Sequence, residues 1–226
     1  MSITYVLRIW LPDRPGALGA VASRVGAVGG DVVGIDILER GAGRAVDELV
    51  IELPDEERVP LLLSEVGQVD GVDVEELRPV AEALHDPRLD ALETAAVLVG
   101  ASSTEELVQA MCGHAVRTIG ASWGAVVTLD GSEVVATEGD SPSAAWLAAF
   151  VAGSQSAARL GEAHAGPDDV VWVPLPSASL ALVLGRASHA FRARERRQAA
   201  ALARIVDTRF RDLTTLRALL VHPSRL

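Results

Sequence analysis

The chain has 226 residues, a formal net charge of -11 and a sequence pI near 4.9, with 49% hydrophobic and 23% charged residues. That acidity argues against a nucleic-acid partner, because binding phosphates needs a basic patch that releases counterions. The composition is that of a chain with a real core, and the length fits two domains of on the order of 100 residues better than one.

The start, MSITYVLRIW, lacks the basic residues, apolar run and small-residue cleavage site of a signal peptide, and the single cysteine, Cys112, can form no internal disulfide. Cytoplasmic residence is the expectation. The longest apolar stretches, such as ALETAAVLVGA, fall short of the roughly 20 residues that span a bilayer, so no membrane association is expected. Every basic side chain other than histidine is arginine, and asparagine is absent.

In chain order, residues 3–11 (ITYVLRIWL) read as a β-strand ended by PDRPG. A helix follows, with Pro15 in its first turn and Leu18, Val21, Ala22, Val25 and Val28 at helical spacing up to Gly29 and Gly30. A strand over 31–39 and another over 45–53, bridged by RGAGRA, form a hairpin. A second helix over about 55–67 and a strand near 72–80 complete a β-α-β-β-α-β order. Right-handed crossovers then place both helices on one face of a four-stranded antiparallel sheet, the ferredoxin-like arrangement.

Asp86 as N-cap and Pro87 in a first turn mark a boundary, giving a domain at 1–82, a linker at 83–86 and a second domain at 87–226. The second domain reads as helices at 87–101 and 104–119, the latter capped by Ser103 or Thr104. A hairpin with an Asp130-Gly131 turn follows, then a helix over about 142–160, two strands (VVWVPLP and SLALVLGR) and a long helix from about 190 to 220.

The segment DRPGAL between first strand and first helix, with Gly29-Gly30 and DVVGIDI after it, resembles the signature loop, helix exit and second strand of ACT domains. The resemblance covers about residues 3–80. It implies regulatory binding of an amino acid at an interface between paired ACT units, hence a homodimer. The ligand-binding residues it suggests are Leu11, Asp13, Arg14, Pro15, Gly16, Ala17, Leu18, Gly30 and Asp31. In the serine-regulated phosphoglycerate dehydrogenases asparagines occupy the positions of Asp13 and Asp31. Two aspartates could draw in an α-amino group while backbone N–H groups at the helix N-terminus hold the α-carboxylate. Alternatively, Asp13 only initiates a turn and Asp31 only caps a strand. Leu11 stands where some members of the family carry a polar contact.

Residues 87–215, by VWVPLP followed by ALVLGR, Phe191, Glu195 and the alanine- and leucine-rich helix, resemble a GAF domain, an α/β/α sandwich, so the whole is expected to be α+β. No NKFDE motif is present. Cys112 beside Met111 in a helix reads as a buried thiol, and Cys112 with His114 is too little for a metal site. Trp123, Trp146 and Trp172 read as core or pocket lining. Leu202, Val206, Leu213, Leu216 and Leu220 approach heptad spacing, interrupted by Arg209, and suit either a dimer seam or packing on their own domain. Arg192, Arg194, Arg196 and Arg197, interrupted by Glu195, read as a solvated helix face or a contact for an acidic partner.

No nucleophile with its base, metal cluster or phosphate loop is legible. The expectation is a non-catalytic sensor without cofactor or metal, signalling through its second domain or a protein partner. The alternative is an interaction scaffold with a degenerate ACT domain.

Overall fold

The computed structural model describes residues 2–80, 87–159, 167–187 and 189–221. The expected linker at 83–86, with the capping Asp86, lies outside the described residues. The chain divides into two compact units, Met1–Asp86 with Arg192–Arg194, and Pro87–Phe191 with Glu195–Leu226.

The first unit runs β1 (Ile3–Pro12), α1 (Ala17–Ala27), β2 (Asp31–Gly41), β3 (Arg44–Leu53), α2 (Val59–Val66) and β4 (Asp73–Val80). A 3-10 turn, Glu56–Arg58, precedes α2 and is capped by the Asp55 carboxylate, which accepts from the Arg58 N–H at 3.2 Å. The antiparallel sheet has the order β2-β3-β1-β4. Alternation puts Tyr5, Leu7, Ile9 and Leu11 on one face beside Ala45, Leu49, Ile51 and Leu53, where Val21 and Val25 of α1 and Leu62 and Val66 of α2 close the core. The other face is charged: Arg8 donates to Glu48 at 2.7 Å, and Arg78 lies 3.9 Å from both Glu48 and Glu76.

The β2–β3 connection is shorter than RGAGRA suggests. Pairing continues to Gly41–Arg44, leaving only Ala42 (φ 51) and Gly43 (φ 78) in the turn. Both left-handed positions match the right-handed strand twist. Glycine suits this conformation and alanine does not, so Ala42→Gly is expected to stabilise the protein by about 0.5–1 kcal/mol, read as a higher midpoint in urea unfolding.

The second unit runs α3 (Pro87–Gly100), α4 (Thr104–Ile119), β5 (Trp123–Thr128), β6 (Val134–Gly139), α5 (Ala144–Arg159), β7 (Val170–Leu175), β8 (Leu180–Gly185) and α6 (Ala193–Val221). Ser103 is the N-cap of α4: its hydroxyl accepts from the Glu106 N–H at 3.1 Å, while Glu106 accepts from the Ser102 N–H at 2.8 Å. The Asp130 carboxylate accepts from the Ser132 N–H at 3.0 Å and fixes the β5–β6 turn. The sheet order is β6-β5-β8-β7. Leu98, Leu107, Met111, Leu202 and Val206 from α3, α4 and α6 share a core with Val126, Leu182 and Leu184. Leu147 and Val151 of α5 pack on the opposite face with Ala125, Val127 and Val183. The sheet is thus covered by helices on both sides.

Arg186, after β8, and Glu195, in the first turn of α6, form a buried ion pair at 2.6 Å, with side chains 2% and 6% exposed. The guanidinium also sits 3.8 Å from the Phe191 ring centroid and donates to the Gly120 carbonyl at 3.3 Å. In α6 the leucine stripe divides: Leu202 and Val206 are buried, Leu213 packs against the core, and Leu216 is 52% exposed. The upper part of the stripe therefore packs on its own domain. The side chain of Leu220 lies outside the described residues.

Candidate functional site

The bend after β1 is built by backbone geometry. The Asp13 N–H donates to the Gly43 carbonyl at 2.9 Å and the Arg14 N–H to the Pro12 carbonyl at 2.8 Å, folding the chain back over the sheet end. Gly16, at φ 90 and ψ -16, is the N-cap of α1. The helix therefore begins at Ala17, not with Pro15 in its first turn, because the left-handed glycine redirects the chain one residue after the proline. A Cβ on Gly16 would meet nothing within 4 Å, so the bend is open.

The Ala17 N–H reaches the Arg14 carbonyl at 3.3 Å and the Ala20 N–H the Gly16 carbonyl at 2.9 Å. Among the described residues, the Leu18 and Gly19 amides find no backbone carbonyl and α1 has no side-chain cap. Two amides at a helix N-terminus carry partial positive charge and suit a carboxylate.

Of the residues expected to bind a ligand, Asp13, Arg14, Pro15 and Gly16 are exposed around this bend and Leu18 is half-buried. Arg14 lies 3.8 Å from Asp70, and Asp13 lies 3.9 Å from the Arg40 Nε. Ala17 and Leu11 are buried in the core. Gly30 belongs to the helix exit: its N–H donates to the Val25 carbonyl at 3.0 Å, and a Cβ would come within 2.9 Å of Leu53. The absence of a side chain there allows this close approach of helix exit and strand.

Asp31 does not join Asp13 within the unit. It pairs with Glu52, whose partner in β1 is Thr4, whereas Asp13 follows Pro12 at the other end of the sheet. Eight residues of β1 at about 3.3 Å each separate those ends by about 26 Å. The carboxylate pair expected from the sequence is not formed in one copy.

The structure brings another carboxylate to the bend. Asp47 of β3 pairs with Ile9 of β1 and Ile37 of β2, and so points to the helix-covered face. The next row toward the bend is Leu11, Ala45 and Arg40. Asp47 is 3% exposed and its Oδ1 has no hydrogen-bond partner. Burial pushes its carboxyl above the usual carboxylate range; the Arg40 charge opposes that shift and Asp13 adds to it. The three charged groups are thus within electrostatic reach of one another near the bend. Strand alternation carried the signal: in AVDELVIEL the inward positions are Ala45, Asp47, Leu49, Ile51 and Leu53, one carboxylate among apolar residues.

In the second unit, Cys112 is buried and its thiol is pushed up to about 12 by burial, with the Glu138 charge adding to it. His114 shares a hydrogen bond with Thr94 at 3.2 Å, and burial, then Arg117, lowers its pKa. Trp123 and Trp172 pack against the α5-side core, and Trp146 stacks on Phe150 at 5.1 Å and meets Trp123 edge-on at 6.1 Å. Among the described residues no group of three or more His, Cys, Asp or Glu could hold a metal ion, and no helix is long and apolar enough to cross a membrane.

Residues 5–71 match the family model of the ACT domain. Solved structures similar to this chain include the ACT domain of the GTP pyrophosphokinase of Chlorobium tepidum, 15% identical, covering 35% of this chain and 100% of that one, with a TM-score of 0.29. An uncharacterized protein from Thermotoga maritima is 23% identical over 36% of this chain and 100% of its own, also at 0.29. A bacteriophytochrome from R. palustris is 16% identical over 82% of this chain and 48% of its own, at 0.40. No curated protein matches.

Proposed function

We propose that the ACT domain binds an amino acid at a seam between two copies of the chain and that occupancy sets how the copies associate. The change is read by the second unit, which we take to be GAF-like, or by a protein partner. On this reading the protein is a non-catalytic regulator.

The observation that carries the reading is the edge of the first sheet. Among the described residues strand β2 has no neighbouring strand on its outer side, and Val33, Ile35 and Ile37 along it are 45%, 46% and 40% exposed. A long apolar edge with unpaired N–H and C=O groups is a template for another strand, and a homodimer fills it isologously. An antiparallel β2–β2 pairing centred on Asp36 sets Asp31 of one copy, five residues before the centre, opposite Gly41 of the other. Gly41 pairs with Arg44 and Arg44 with Pro12, immediately before Asp13. Two copies thus restore the carboxylate neighbourhood that one copy lacks.

Thermal unfolding against each of the twenty amino acids tests this. A ligand at about 100 times its dissociation constant adds about 2.7 kcal/mol, and sedimentation should show the dimer population changing with it. Gly16→Val, which forces a branched side chain into a left-handed position, is expected to abolish the response. The second reading, a scaffold with a degenerate ACT domain, is favoured by the burial of Leu11 and the tight packing at Gly30. Absence of any response from folded protein would establish it over the first.

A further inference from the structure

We propose that Asp47 is the carboxylate that receives the ligand's ammonium group, so the site selects molecules bearing a protonated amine and rejects their deaminated or N-acylated counterparts. This rests on the amino-acid reading and deepens it.

The fold has no use for a carboxylate at this position. Asp47 stands in a row with Ile9 and Ile37 and between Ala45 and Leu49 along its own strand, where a leucine or valine would complete the core. Burying a carboxylate with an oxygen that no donor reaches is costly unless something supplies the missing charge. Access exists on one side: β2 is the sheet edge and Ile37 is partly exposed, whereas Ile9 on the other flank is fully buried.

The charges around this floor fit one cation. Asp13 approaches from the bend and Arg40 from β2; these two, with Asp47, sum to one negative charge. Arg24, in the last turn of α1, is engaged with Glu65 of α2 at 2.7 Å. At the start of α1, just after the bend that carries Asp13, the Leu18 and Gly19 amides find no backbone carbonyl among the described residues and suit an anion. An ammonium on Asp47 and a carboxylate on those amides describe the two ends of an α-amino acid. A ligand without the amine would set an apolar or acylated group against a desolvated carboxylate, which penalises it by leaving a buried polar group unpaired.

The test is titration calorimetry on the whole chain and on Asp47→Asn, confirmed folded by circular dichroism. The probes are each of the twenty amino acids and, for any that binds, its 2-oxo acid, its N-acetyl derivative and its decarboxylated amine. The amino acid is expected to bind wild type at least tenfold more tightly than the oxo acid or the N-acetyl derivative. Asp47→Asn is expected to weaken the amino acid at least tenfold while leaving the oxo acid unchanged or improved. Equal binding of amino acid and oxo acid by wild type, or binding of the amino acid by Asp47→Asn within twofold of wild type, overturns the assignment of Asp47 and leaves the amino-acid reading standing. If no amino acid binds, that reading fails. Butylamine then decides Asp47: binding to wild type and not to Asp47→Asn supports its role, and no binding to wild type overturns it.

Discussion

Replacing Glu195 by alanine is expected to destabilise the second unit by about 3–5 kcal/mol, the largest loss among the substitutions considered, because it strips the carboxylate from a buried guanidinium. Arg186 is held by Glu195 at 2.6 Å and stacked on Phe191, with both charged side chains almost wholly out of solvent. Its contacts to the Phe191 ring and to the Gly120 carbonyl at 3.3 Å do not replace a full negative charge beside a buried guanidinium. Replacing both partners with apolar groups of similar volume, Arg186→Met with Glu195→Leu, removes the charge along with its partner and is expected to recover most of the loss. Urea unfolding followed by tryptophan fluorescence measures both variants, since Trp123, Trp146 and Trp172 all lie in this unit. A single variant that loses under 1 kcal/mol would show that the pair carries little of the stability of the β8–α6 junction.

Asp47→Leu is expected to act in the opposite direction, stabilising the first unit by about 1–3 kcal/mol while abolishing the ligand response. The inward row around it is apolar, so leucine replaces an unsatisfied oxygen with contacts to Ile9, Leu49 and Ile37. The pH dependence follows from the raised folded-state pKa. Between the unfolded value and the higher folded value the native chain binds more protons than the unfolded chain, so the contribution of Asp47 to stability falls as pH rises through that window. Wild type should therefore lose stability relative to Asp47→Leu as pH increases from the ordinary carboxylate range through the raised value, and run parallel to it above. Parallel curves throughout would mean that the carboxylate is solvated in solution.

The order of elements in the first unit was legible because its periodicities are clean: inward residues of the first and third strands alternate, and Val21 and Val25 recur at helical spacing. The residues of the bend were legible too, since proline and glycine punctuate the chain there. What could not be read was register. Nothing local tells that Asp31 lies opposite Glu52, at the far end of the sheet from Asp13. Asp47 is hidden in the sequence for a related reason. A single aspartate in a strand passes for a surface residue until pairing with Ile9 and Ile37 fixes which face it occupies. The start of α1 differs from the expectation because proline tolerates a first helical turn in general, while the conformation of Gly16 decides it here. In the second unit helices and strands were legible, but the partition of the α6 stripe between core and solvent depends on packing, which spacing does not encode.

Cys112 has a practical corollary. Its thiol is enclosed in the core and pushed up to about 12, so alkylating dyes should pass over it in the native protein. A cysteine introduced at the exposed Ile35 would then be the reactive handle, without first removing the native one. Fluorophores placed there would report by energy transfer whether the outer strands of two molecules come together, and an added amino acid should alter that signal within the same cuvette.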